Sequence, residues 1–207
     1  MAELSVLIVN YNSWKECAQA IASLRSHGPT RPDGSPMPFE CVVVDNASPQ
    51  QPPRQVERVE RELQLLREQQ GDDRAGLLIR HDENGGYSKG MNLAFERSRG
   101  RQILVSNPDV VFLDGLVARL QRALEGDPSI GIAVPKGYWD RELRGHLPPN
   151  TLPTLPDAWG EALAAFSARR TRRRAKRLLA EWLAAWEADE PRHLPMMSGC
   201  LFPIDSK

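Results

Sequence analysis

Three short polar clusters and one glycine-rich segment hold the residues of this 207-residue chain that could do chemistry. The clusters are Asn10-Tyr11-Asn12, Asp45-Asn46-Ala47-Ser48 and Asn107-Pro108-Asp109, each directly after an apolar run. Amides and carboxylates there offer donors and acceptors to a polar ligand, and a carboxylate oxygen is a hard ligand for a divalent cation. The same residue types cap helices and shape turns, so for any one cluster a purely structural reading stands beside the functional one. Three clusters together describe a polar, acceptor-rich crevice. The fourth segment runs His81-Asp82-Glu83-Asn84-Gly85-Gly86-Tyr87-Ser88-Lys89-Gly90-Met91-Asn92. Glycines entering a helix let backbone N–H groups approach a phosphate. The spacing is neither the dinucleotide fingerprint nor the P-loop, which disfavours both.

These residues need elements to hold them. Leu4 to Val9, Glu40 to Val44, Leu77 to Arg80, Gln102 to Ser106 and Ile130 to Val134 are short apolar runs that read as five strands, several buried on both faces. Between them Cys17, Ile21 and Leu24, then Val56, Val59, Leu63 and Leu66, recur at helical spacing, with Ser13 as an expected N-cap. Further helices are expected over about 88–98 and 116–124. This β-α-β-α order predicts a mostly parallel sheet covered by helices on both faces, with ligands bound beyond the carboxyl ends of the strands. The α/β core is expected over residues 1–136. Residues 137–207 read as an irregular, proline-bearing connection followed by a basic amphipathic helix, within the same domain.

Composition excludes some functions. Lys plus Arg and Asp plus Glu both number 27, so no overall field selects nucleic acid or an anionic membrane. Cys17, Cys41 and Cys200 are odd in number and far apart, and read as small buried thiols in a reducing compartment. No apolar stretch is long enough to cross a membrane, and Met1-Ala2-Glu3 runs straight into the first strand, which predicts no signal peptide and a cytoplasmic location. One patch is strongly biased: seven basic residues in the nine from Arg169 to Arg177, followed by Leu178, Leu179, Trp182, Leu183 and Trp186. It reads either as a helix touching anionic lipid at the inner face of a membrane through 169–186, or as a solvated face packed on the domain or on a second copy. The run lacks interleaved aromatics, so no nucleic-acid partner is expected. His146 and His193 stand alone beside prolines and are not expected to bind metal.

In order and spacing, Val9-Asn10-Tyr11-Asn12-Ser13, Val44-Asp45-Asn46-Ala47-Ser48, Asn84-Gly85-Gly86-Tyr87 with Asn92, and Asn107-Pro108-Asp109-Val110 resemble the family 2 glycosyltransferases of GT-A fold, within them the rhamnosyltransferase-like branch. The resemblance covers about residues 4–135, with an echo at Ser198-Gly199-Cys200. It implies a Rossmann-like sheet that binds a nucleoside-diphosphate sugar, UDP- or dTDP-linked, with Mg2+ or Mn2+. It also implies inverting transfer to a saccharide or lipid-linked acceptor in cell-surface polysaccharide synthesis. Asn10, Tyr11 and Asn12 would line the nucleotide pocket. Asp45, with Asn46 and Ser48 beside it, would accept hydrogen bonds from the base edge or ribose. Asn84, Gly85, Lys89 and Asn92 would flank the sugar and diphosphate. Asn107-Pro108-Asp109 matches the place of the family's DxD motif, with Asn for the first Asp, and makes Asp109 the expected metal ligand. His81 is a further candidate to touch the ligand.

The family's general base follows a segment resembling Ser198-Gly199-Cys200-Leu201-Phe202, and no residue here takes that role; Asp205, the only later acid, falls where the family has a strand end or loop. The pattern breaks off in the middle, so the chain reads as part of a longer protein. The rival reading is a non-catalytic donor-binding or assembly module. A dehydrogenase would need a glycine fingerprint after Val9, where Asn10-Tyr11-Asn12-Ser13 stands instead.

Overall fold

Apolar runs too short to be helices and too continuous to be half-exposed have one stable use, a sheet buried on both faces. The computed structural model builds that sheet. It describes residues 2–140, 142–147, 159, 160, 162, 166–188, 190, 192, 193 and 201–205, the last two in backbone only. In chain order the elements are β1 (Leu4–Asn10), α1 (Trp14–Ser26), β2 (Phe39–Asp45), α2 (Pro53–Gln70), β3 (Gly76–Arg80), α3 (Gly86–Arg97), β4 (Gln102–Ser106), α4 (Leu116–Gly126), α5 (Ala168–Trp186) and β5 (Leu201–Asp205). The sheet order is β3-β2-β1-β4-β5. The first four strands are parallel, and β5 runs antiparallel along β4.

The pleat sorts the core into two layers. Leu4, Val6 and Ile8 of β1, with Cys41 and Val43 of β2, meet Trp14, Cys17, Ile21 and Leu24 of α1 and Val56, Val59, Leu63 and Leu66 of α2. Leu7, Val42, Val44, Ile103 and Val105 face the other way, toward Ala94, Met91 and Leu93 of α3. Alternate residues of one strand thus serve opposite layers, as a period of two requires. Gly90 lets α3 lie close: a Cβ there would stand 3.1 Å from Val9 Cγ1. Burial pushes the Cys17 thiol up to about 12 and the Cys41 thiol well above its ordinary value, so both act as apolar fillers.

Two expectations are corrected. Residues 130–134 form no strand: Ile132 remains 38% exposed, and the place beside β4 goes to β5. Pro203 argues against a strand in the sequence, yet an edge strand tolerates it because one of its sides needs no donors. Ser13 occupies the N-cap position of α1 but its side chain caps nothing; its Oγ bonds the carbonyl of Tyr11 instead. The free backbone N–H of Ser13 goes to Asn10 Oδ1 at 3.1 Å.

The chain divides into two compact units, Met1–Pro135 with Gly199–Lys207, and Lys136–Ser198. The first is the sheet and its four helices among the described residues. In the second, α5 is joined to a small hairpin that pairs Tyr138 with His146. Trp186 Nε1 donates to the Leu147 carbonyl at 2.9 Å, and Lys136 Nζ donates to the Trp186 carbonyl at 2.7 Å. The backbone N–H groups of Arg144 and Gly145 bond Asp140 and hold its carboxyl below the usual carboxylate range, which fixes the hairpin's turn.

Candidate functional site

Parallel strands end together, and that is what gathers the polar clusters. Asn10 pairs in register with Asp45, and Ile8 with Ser106. Continuing that register sets Asn107 and Pro108 level with Val9 and Asn10. The carboxyl ends of β2, β1 and β4 therefore stand side by side, neighbouring strands about 4.8 Å apart. The chain crosses from β3 over to β4 on the far side of β1, so the switch in winding direction falls at this edge.

At β1 and β2 the cluster is a closed network. Asn10 and Asp45 follow the Val6–Ile8 and Cys41–Val43 alternation onto the α1 face, and both are buried. Asn10 Nδ2 donates to Asp45 Oδ1 at 3.0 Å and lies 3.4 Å from Ser48 Oγ. The Ser48 hydroxyl donates to the same Asp45 oxygen and accepts from the Asn12 backbone N–H at 2.8 Å. Asn12 Oδ1 in turn accepts from the Gln50 N–H at 3.0 Å, and Trp14 Nε1 donates to the Gln50 carbonyl at 2.8 Å. Asn12 and Ala47 hold left-handed φ values of 58° and 57°. Asn tolerates that region, but Ala does not favour it, and such strain persists only where surrounding bonds over-determine it. Tyr11 is 45% exposed and Asn12 is exposed beside this locked turn.

A second link joins the β2 end to the glycine-rich segment. Asn46 Nδ2 donates to Asn84 Oδ1 at 2.8 Å, and Asn46 Oδ1 accepts from the Gly85 N–H at 3.2 Å. Asn84 Oδ1 also accepts the Gly86 N–H at 3.0 Å, where φ is +81°. Two crossed amides thus set the entrance to α3. Lys89 lies one turn further in, with Nζ 2.7 Å from Glu83 Oε1, both exposed. The sequence offered no signal for this pair, because a spacing of six residues across a loop has no periodic signature. Asn92 is exposed on α3.

The β4 end is open by contrast. Asn107 is half-buried and Asp109 exposed. No hydrogen bond or ion pair engages the Asp109 carboxylate among the described residues. An uncommitted carboxylate beside an amide suits a hard divalent cation, which commonly takes one or two carboxylates and completes its shell with substrate phosphate and water. Among the described residues no cluster of three His, Cys, Asp or Glu forms an all-protein cage.

The structure therefore brings Asn10, Asn12, Asp45, Asn46, Ser48, Asn84 and Gly85 into one bonded edge, with Tyr11, Lys89, Asn107 and Asp109 at the ends of the same elements and Asn92 exposed further along α3. A depression of about 560 Å³ lies further out, lined by residues such as Ile79, Arg80, His81, Lys89 and Arg97 along β3 and α3. It includes neither Asn10, Asp45 nor Asp109, and the bonded polar edge is the better-founded site. His81 lines that depression, with Nδ1 turned to the Glu83 carbonyl. Asp205 pairs with Gln102, the opposite end of β4 from Ser106. Four residues along a strand put it about 14 Å from the polar edge. Ser198, Gly199 and Cys200 lie outside the described residues.

The model of glycosyl transferase family 2 matches residues 5–180. Among solved structures, the chain is similar to the mannosyltransferase PcManGT from Pyrobaculum calidifontis in complex with GDP-Man and Mn2+. That match has 21% identity over 63% of this chain and 34% of that one, with a TM-score of 0.49. It is also similar to S. aureus TarS, at 21% identity over 73% of this chain and 42% of that one, TM-score 0.45. TarS in complex with UDP-GlcNAc matches at 22% identity over 64% and 33%, with the same TM-score. The chain thus spans well under two thirds of the length of these structures. No curated protein sequence matches it.

Proposed function

The chain belongs to glycosyl transferase family 2, and from that premise we propose that its polar sheet edge binds a nucleoside-diphosphate sugar, UDP- or dTDP-linked, as the donor for inverting transfer. The observation that carries the reading is the convergence of the β1, β2, β3 and β4 ends into one edge, closed at β1–β2 and open at β4.

The roles follow from that division. Asp45 is too buried to be the first group a ligand meets; with Asn10 and Ser48 it holds the 10–13 and 46–50 turns in shape. Tyr11 and Asn12 then present an aromatic face and an amide to the nucleoside. Asn84 and Gly85 set the start of α3, where backbone N–H groups and Lys89 face the phosphates with positive charge. Asp109, with Asn107, holds a divalent cation, Mg2+ or Mn2+, that offsets charge on the leaving diphosphate. Transfer also requires a base to take the acceptor hydroxyl's proton as the new glycosidic bond forms and the bond to the diphosphate breaks. We assign that base to no described residue, and take a polysaccharide or lipid-linked glycan, elongated on the cytoplasmic side, as the acceptor of the whole protein.

Calorimetric titration with UDP, dTDP and GDP, with and without Mn2+, tests the donor site. Binding that needs the metal, and that Asp109→Ala weakens by about tenfold or more, supports the proposal and reports the preferred base. A folded sample that binds none of the three nucleotides overturns it.

A further inference from the structure

The second unit carries a strongly basic helix, with its cations gathered in the first half. Across 168–186 the only acid is Glu181, against seven cations in the nine residues from Arg169 to Arg177. Arg169, Arg170, Arg172, Arg173 and Lys176 are all exposed, and no acid pairs with them among the described residues. No described residue of α5 is fully buried.

The helix nevertheless has an anchored side and an open side. Trp186 stacks on His146 with centroids 5.6 Å apart, Trp182 lies 6.2 Å from Trp186, and both indoles are half-buried. That side belongs to the hairpin. At 100° per residue, Arg169, Arg172, Lys176, Leu179 and Leu183 fall within an arc of about 80°. Along that stripe Leu179 is 50% and Leu183 42% exposed. The hairpin joined to the same helix adds two more open apolar groups, Trp139 at 76% and Leu143 at 43%. Cations over the first half of a stripe and leucines over the second match the layers of a bilayer interface, anionic headgroups outside and acyl boundary beneath, and an exposed indole suits the same boundary.

We propose that α5 and the 137–147 hairpin form a docking surface for an anionic lipid bilayer, on which the helix lies in the headgroup plane. The exposed Arg169, Arg170, Arg172, Arg173 and Lys176 reach phosphates, and Leu179, Leu183 and Trp139 enter the acyl boundary to a shallow depth. Because the whole chain is formally neutral, the attraction is local and acts within roughly one Debye length, about 8–10 Å at physiological salt. The surface shares no residue with the proposed donor site, so the two proposals stand or fall independently.

Sedimentation of the full chain with vesicles tests this, using equal parts phosphatidylglycerol and phosphatidylcholine against phosphatidylcholine alone, at low and high salt. Binding is expected only to the anionic vesicles and should fall steeply with salt. Arg169→Gln, Arg172→Gln and Lys176→Gln together should weaken partitioning on the order of a hundredfold. Leu179→Ser with Leu183→Ser should weaken it by about tenfold while leaving the salt dependence in place. Circular dichroism checks the fold of each variant, and the glutamine variant, which keeps helix-forming residues, decides alone if the serine variant unfolds. Equal binding to both vesicle types, no binding by a folded sample, or a glutamine variant that loses self-association but keeps vesicle binding would overturn the proposal. The last outcome would assign the stripe to a second copy of the chain.

Discussion

The β1–β2 end and the β4 end of the sheet edge are built from the same kinds of residue and handled in opposite ways. At β1–β2, Asn10, Asp45 and Ser48 spend their polar atoms on one another and on backbone N–H groups, out of reach of solvent. At β4, Asp109 stands exposed with its carboxylate uncommitted among the described residues. Buried polar groups are costly unless satisfied, so the first region must be complete before any ligand arrives. An exposed carboxylate costs little to leave open, so the second can wait for a cation. One half of the edge is thus closed by folding and the other is left open, as the proposed cation site requires.

The largest effect expected from this contrast is at Asp45. Asp45→Ala strands the Asn10 amide and the Ser48 hydroxyl in a buried place, which should lower unfolding free energy by about 2–4 kcal/mol. It should also weaken nucleotide binding, because the 10–13 turn loses its tether. Chemical denaturation and titration on one sample read both. Loss of binding with full stability retained would break the contrast, since Asp45 would then act on the ligand directly. Next comes Asp109→Ala, where the opposite split is expected: metal-dependent binding is lost while stability stays within about 0.5 kcal/mol of the parent chain.

How much of this was legible depends on the range of the interactions. The four parallel strands and α1 to α4 could be read because buried strands are continuous apolar runs and helices repeat at three and four. Asn10, Asp45 and Asp109 could be placed at strand ends from those runs alone. The fifth strand could not. Ile130–Val134 has the composition of a strand but forms no more than an isolated bridge at Ile132, whereas Leu201–Asp205 carries Pro203 and wins by pairing with a strand almost a hundred residues earlier. Nor could the sequence say that Asp45 and Ser48 close on each other around a left-handed Ala47, because nothing in alanine announces a positive φ. The Asn46–Asn84 link spans 38 residues and is equally silent. Local chemistry is visible in the chain; who satisfies whom is decided by topology.

A smaller effect separates tether from pocket. Ser48→Ala removes the acceptor for the Asn12 N–H and one donor to Asp45, and should cost about 1–2 kcal/mol. Since Asn12 borders the exposed Tyr11, nucleotide affinity should fall along with stability. Ser48→Cys, with a weaker acceptor of similar shape, should fall between the two. If Ser48→Ala lost stability but bound nucleotide as before, the turn would not be what shapes the pocket.

The smallest effect is at the boundary between the two regimes, the exposed pair of Glu83 and Lys89. Glu83 holds the ammonium that the proposed diphosphate would use, so Glu83→Gln should free it and raise nucleotide affinity by about two- to fivefold at low salt, less at high salt. The hydrogen bond from Lys89 holds the Glu83 carboxyl below its ordinary value of 4.5. A carboxyl depressed in this way keeps its pair at neutral pH and loses it only as pH falls through that lowered value. The advantage of the glutamine variant should therefore persist down to the ordinary carboxylate range and vanish below it. Calorimetric titrations of parent and variant over that range decide the point. An unchanged affinity at every pH and salt would mean that Lys89 is already free to turn to the ligand, and would move the boundary of the preformed half of the site back to Asn84.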